Sequence, residues 1–138
     1  MMHPAYFEVR FRNAGDNVVW PPSFAIITAC ATTGQHWPDE KTRSADRNLE
    51  TELKAMQLWT HRITGYSPAT GHAEPGWAVE MPFEPACDTG QRHDQDAIYF
   101  VDGDQLFVSF CDDRRKQIVV DGFRTRLDRP TGNDAEGE

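Results

Sequence analysis

The chain has 138 residues, 38% apolar and 26% charged, with 10 Gly, 9 Pro and a formal net charge of -8 at pH 7. A chain of this length buries roughly two-thirds of its unfolded surface, so it needs no metal or disulfide staple. Its composition excludes collagen, coiled coil, disulfide miniprotein and wholesale disorder, and no apolar run approaches the ~18 residues of a membrane span.

Tyr6 to Arg12 alternates, with Phe7, Val9 and Phe11 on one side and Glu8, Arg10 and Arg12 on the other, which is the period of a half-buried strand. Asn13-Ala14-Gly15-Asp16 reads as a turn and Val18-Val19-Trp20 as an apolar patch, and Pro21-Pro22 cannot donate to a ladder. Phe24 to Ala31 is nearly all apolar and rich in Ile and Thr, predicting a central strand covered on both faces. Thr32 to Arg43 is polar and aperiodic, so a mobile loop is expected there with Trp37 substantially exposed. Leu49, Leu53 and Met56 then recur at helical spacing and Glu50 stands four before Lys54. Ser44 or Asp46 is placed to cap a helix running from about Ala45 to Trp59.

His61 to Tyr66 reads as a third strand, and Trp77 to Met81 as a fourth bounded by Pro75 and Pro82. Glu84 to Asp94 is weakly periodic and compatible with a short helix. Ile98 to Val101 and Leu106 to Cys111 flank Asp102-Gly103-Asp104, the strongest hairpin signal in the chain, because Gly supplies the positive φ of a tight loop. Ile118 to Val120 suits a last edge strand, and the tail Thr131 to Glu138 lacks large apolar residues and is expected to be disordered beyond a single domain of residues 1–130. Together these elements predict an α+β domain, an antiparallel-dominated sheet of five or six strands with one main helix on one face.

Fourteen Lys and Arg against 22 Asp and Glu disfavour generic nucleic-acid binding, which is driven by cations releasing counterions from phosphate. The cations Arg114, Arg115, Lys116, Arg124, Arg126 and Arg129 are interleaved with Asp112, Asp113, Asp121 and Asp128, as on a mixed, solvated face. Cys30, Cys87 and Cys111 are odd in number and lack Cys-x-x-Cys spacing, so they read as reduced thiols. Met1-Met2-His3-Pro4 lacks a basic-then-apolar signal pattern, and a cytoplasmic protein with no membrane contact is expected.

Several short motifs read together resemble a bacterial family known as a domain of unknown function, number 3293. They are Ala25-Ile26-Ile27-Thr28-Ala29, Ser44 four residues before Asn48, then Leu49 and Leu53, Glu74 before the strand at Trp77, Gln95-Asp96-Ala97-Ile98, and Gly122-Phe123 followed by Arg126. The resemblance spans roughly residues 24–127, and departs where Cys30-Ala31-Thr32-Thr33 stands in place of the Asn-Pro such proteins usually carry. It implies one α+β domain and no particular activity.

The chain has no Gly-rich phosphate loop, Gly-x-Ser-x-Gly elbow, His-Glu-x-x-His or zinc-deaminase pattern. The polar candidates are Arg47 and Asn48 near the helix start, Glu74 in a turn, and Gln95 and Asp96 before a strand. Arg suits an anion, amides suit directed hydrogen bonds, and a carboxylate suits acid–base work. The same residues also serve as caps and loop ties, with Asp46 and Asn48 capping the helix. His61, His72, Glu74, Cys87 and His93 match no ligand spacing, so neither metal nor cofactor is expected. The leading reading is a non-catalytic binding or regulatory module for a protein or small molecule, with Trp37 as a contact. The alternatives are a hydrolase-type enzyme with Glu74 or Asp96 as base and Arg47 as anion anchor, and an acidic protein competing for a basic partner. Arg47, Asn48, Glu74, Gln95 and Asp96 are expected to share one concavity.

Overall fold

A computed structural model describes residues 2–13, 15, 17–31 and 35–128 of the chain. The strands among them are β1 (Arg10–Asn13), β2 (Ser23–Thr28), β3 (Thr60–Tyr66), β4 (Ala73–Val79), β5 (Ala97–Asp102), β6 (Gln105–Phe110) and β7 (Ile118–Gly122). All seven join one antiparallel sheet in the order β1-β3-β4-β2-β5-β6-β7. Helix α1 (Asp39–Ala55) links β2 to β3, α2 (Phe83–Arg92) links β4 to β5, and a one-turn helix, α3 (Phe123–Arg126), follows β7. The sheet therefore has more strands than the five or six expected, and the main helix has a second beside it. The periodicity of α2 is faint because its buried face is Ala86, Cys87, Thr89 and Gly90 rather than large aliphatics. A Cβ on Gly90 would lie 2.7 Å from both Cys111 Sγ and Ile98 Cγ2, so the helix lies close against the sheet there.

Three boundaries differ from the sequence reading. Tyr6 is not in a strand: Pro4–Phe7 forms a 3-10 turn, with proline at its start and His3 Nδ1 accepting from the Ala5 amide at 3.0 Å. Only Val9 and Phe11 of the alternating set are buried. Helix α1 begins at Asp39, inside the expected loop, where Pro38 precedes it and Asp39 and Glu40 place negative charge in the first turn. Ser44 and Asp46 consequently lie inside the helix and cap nothing, and the helix ends at Ala55, ahead of Trp59. Pro75 does not bound β4 but sits within it. The β2–β4 ladder ends at Thr28 opposite Gly76, so no β2 residue is laddered to Pro75, and Cys30 Sγ donates to the Pro75 carbonyl at 3.8 Å. The expected disordered tail lies outside the described residues.

β2 is fourth of seven strands and is buried on both faces, as its composition predicts. Ala25 and Ile27 face the helices with Leu49, Leu53, Trp77, Val79 and Cys87, while Phe24 and Ile26 face the other core with Phe11, Ile63, Ala78, Val101, Leu106 and Phe123. The second core exists because the sheet curls. The rings of Phe11 on edge strand β1 and Tyr99 on β5 meet edge to face with centroids 5.4 Å apart, across three intervening strands. The segment after α3 completes the curl. Leu127 bridges Phe11, the Asp128 amide donates to the Phe11 carbonyl at 2.8 Å, and Arg126 donates to the carbonyls of Phe7 and Val9 at 2.9 and 3.0 Å.

The cysteines are free and buried. Burial pushes the thiols of Cys30 and Cys111 up to about 12 and that of Cys87 up to about 11, so all three stay protonated at neutral pH. The C-terminal cations are paired locally: Arg114 with Asp112, Arg115 with Glu84 and Asp88, Arg126 with Asp121. No helix of the described residues is long and apolar enough to cross a membrane.

Helix α1 buries only Leu49 and Leu53 of its 17 residues, and polar contacts complete its attachment. Asp46 accepts from Arg62 at 2.9 and 2.7 Å and from the Trp77 indole at 3.2 Å, while the Arg62 guanidinium lies 4.0 Å over the Trp77 ring. Asp46→Ala should cost about 2 kcal/mol, because the guanidinium and indole lose a charged acceptor in a half-buried site; chemical denaturation measures it. Glu52 joins the helices by accepting from His93 at 2.8 Å and from Arg92. Burial alone would raise the Glu52 carboxyl, but the hydrogen bonds and charges of Arg92 and His93 outweigh it and hold the group below the ordinary glutamate value. Its contribution is therefore present above about pH 4.3 and lost as pH falls through the depressed value. Glu52→Gln should lower Tm at pH 7, and the gap to wild type should close in acid.

Candidate functional site

The inner face of the curl is filled along only part of its length. At one end Trp20, Phe24 and Phe123 pack ring on ring with centroids 5.1 to 5.3 Å apart, and Trp59 adds to them. At the other end the inward positions of four neighbouring strands carry small residues: Thr28 on β2, Gly65 on β3, Gly76 on β4 and Ala97 on β5. The pairings Thr28 with Gly76 and Gly65 with Glu74 keep these positions on one face. With no large side chains to fill it, this end holds a cavity of about 620 Å³.

Tyr6, Val9, Phe11, Ile26 and Tyr99 line its apolar depth, and His3, His36, Trp37, Asp39, His72, Glu74 and Asp96 add the polar and titratable groups. Glu74, Gln95, Asp96 and Trp37 thus come together. Arg47 and Asn48 do not: because α1 starts at Asp39, both lie mid-helix and are exposed, while Leu49 and Leu53 turn inward. Asn48 borders only a shallow groove with Pro38, Lys41 and Ser44. Glu74 stands in β4 rather than in a turn. Trp37 is half-buried rather than substantially exposed, and Lys41 Nζ lies 4.3 Å over its ring.

The polar groups divide by role. Gln95 is buried and fully engaged: Nε2 donates to the carbonyls of Cys30 and His93 at 2.8 and 3.0 Å, and Oε1 accepts from Thr28 at 2.8 Å. It ties the end of β2 to the start of β5. Tyr99 donates to the Tyr6 carbonyl at 2.7 Å, and burial drives its phenol far above the ordinary value. Glu74 Oε2 accepts from His72 Nε2 at 3.0 Å, and the Asp96 carboxylate is exposed. Carboxylates and imidazoles therefore supply the titratable charge, and no Lys or Arg is among the described lining residues. The remaining metal candidates are scattered: His61 stacks on Trp59, Cys87 is buried beneath α2 and His93 binds Glu52. No group of three His, Cys, Asp or Glu among the described residues is placed to hold a metal ion.

Tyr6, Phe11, Gly65 and Tyr99 were not singled out from sequence as cavity residues. Their convergence depends on the curl, and alternation along each strand gives only the face. Replacing the Gln95 amide by a carboxylate would set negative charge against two carbonyls. Gln95→Glu should cost at least about 2 kcal/mol at pH 7, measured by chemical denaturation.

No curated protein and no solved structure matches the chain. One family does, described as a protein of unknown function (DUF3293), over residues 27–98. That span is just over half of the chain, and runs from Ile27 on β2 through both longer helices to Ile98 on β5. It includes Trp37, Glu74, Gln95 and Asp96, and the chain belongs to this family of unknown function.

Proposed function

We propose that the chain is a non-catalytic binding domain whose inner cavity takes a small, largely apolar organic molecule. The observation that carries this reading is the cavity itself. Its volume of about 620 Å³ falls within the range of small-molecule sites, and it joins an aromatic and aliphatic interior to a few polar groups. The chemistry of the lining supports binding over turnover. The Cys30 thiol is held protonated, Gln95 is spent on three structural hydrogen bonds, and Arg47, the anion anchor of a hydrolase reading, stands outside the cavity. Three buried reduced thiols fit a reducing compartment, which supports a cytoplasmic location.

Amide-resolved NMR titration with a set of small neutral aromatic fragments tests the reading. The largest shifts should fall on Thr28, Gly65, Ala73 and Ala97, and Ala97→Phe, a bulky residue at an inward position, should abolish them while the protein stays folded by melting. Shifts confined to other surfaces, or unaffected by Ala97→Phe, would overturn it.

A further inference from the structure

We propose that the cavity selects ligands bearing a protonated amine on an aromatic or aliphatic body, with the amine held at the Glu74 and Asp96 carboxylates; this rests on the binding reading above. Three features of the structure point the same way. Glu74 spends one oxygen on His72 and has no partner for Oε1 among the described residues, and Asp96 keeps its side chain in solvent beside the cavity. An ammonium entering between them meets two acceptors, whereas a ligand carboxylate meets like charge and no Lys or Arg in the described lining. The aromatic groups of the interior, Tyr6, Phe11 and Tyr99, present faces and edges in mutual contact at centroid distances of 6.4 and 5.4 Å, and aromatic faces attract cations while edges pack against an apolar body. The net charge of -8 acts at longer range, drawing cations toward the molecule and repelling anions.

The cations already near these rings do not reverse the sign. Lys41 covers a face of Trp37, and Arg12 lies 3.9 Å over the Tyr66 ring, but neither belongs to the lining of the cavity. His3, His36 and His72 are the lining groups that gain positive charge in acid, so the comparison belongs at pH 8, where imidazoles of ordinary basicity are neutral.

The test compares three probes of nearly equal shape at pH 8 by NMR titration of the full chain: 2-phenylethylamine, 2-phenylethanol and 3-phenylpropanoate. The amine should bind at the cavity amides at least about tenfold more tightly than 3-phenylpropanoate, with the alcohol between them. The double variant Glu74→Gln, Asp96→Asn should erase most of that preference while leaving the affinity for the alcohol unchanged. These substitutions keep size and hydrogen-bonding capacity at half-buried and exposed positions, and melting curves confirm that the variant is folded. If the alcohol shifts the cavity amides but the amine binds no more tightly than 3-phenylpropanoate, or the variant keeps the preference, the charge selection is overturned and the binding reading stands. If none of the three probes shifts the cavity amides, the binding reading fails and this inference with it.

Discussion

Phe11 touches Tyr99, and most of the molecule follows from that contact. In a flat sheet four strand spacings would separate β1 from β5 by about 19 Å. Bringing the two rings together requires the sheet to bend around its own inner face, and the segment after α3 fastens the bend by bridging back to Phe11. A bent sheet has an inside. One end of that inside is filled by the rings of Trp20, Phe24, Trp59 and Phe123, and the other, lined by Thr28, Gly65 and Ala97, stays open.

The two faces are stabilised by different means. The inner face relies on large rings drawn from distant parts of the chain, so its cohesion is mostly apolar burial. The outer face carries helices with modest apolar contact, and directional contacts fix their positions: Asp46 with Arg62 and Trp77, Glu52 with Arg92 and His93. These contacts place α1, whose first turn includes Asp39 of the cavity lining and follows directly on Trp37.

Much of this is local and can be read from the residues. The apolar run at Phe24, the Leu49 and Leu53 stripe and the loop at Gly103 (φ 65°) specify a central strand, a helix and a hairpin through periodicity and turn chemistry, and all three form there. Long-range effects were not legible. The early start of α1 depends on Pro38 and the first-turn carboxylates in a stretch whose polarity resembles a loop. That shift of six residues is why Arg47 and Asn48, placed beside Glu74 by a sequence argument, lie on the outward side of a helix. Glu74, Gln95 and Asp96 flank strand ends that the sheet brings together, whereas Tyr6 and Phe11 reach the same cavity only through the curl. Strand alternation specifies a face but carries no information about curvature.

The proline within β4 has a further effect. The Pro75 carbonyl accepts from Cys30, so it points toward the β2 side, and in an extended strand the nitrogen of the same residue points that way too. Proline offers no hydrogen there, and the pairing of β2 with β4 cannot be continued past Gly76 by Ala29 and Cys30. Pro75 therefore acts as a zipper stop. It lets the chain after Thr28 leave the sheet toward Gln95, which catches the Cys30 carbonyl, and it keeps the gap between β4 and the start of β5 from being stitched shut. The same missing donor makes this edge a poor template for an incoming extended peptide, so the opening is suited to compact molecules rather than to an added strand.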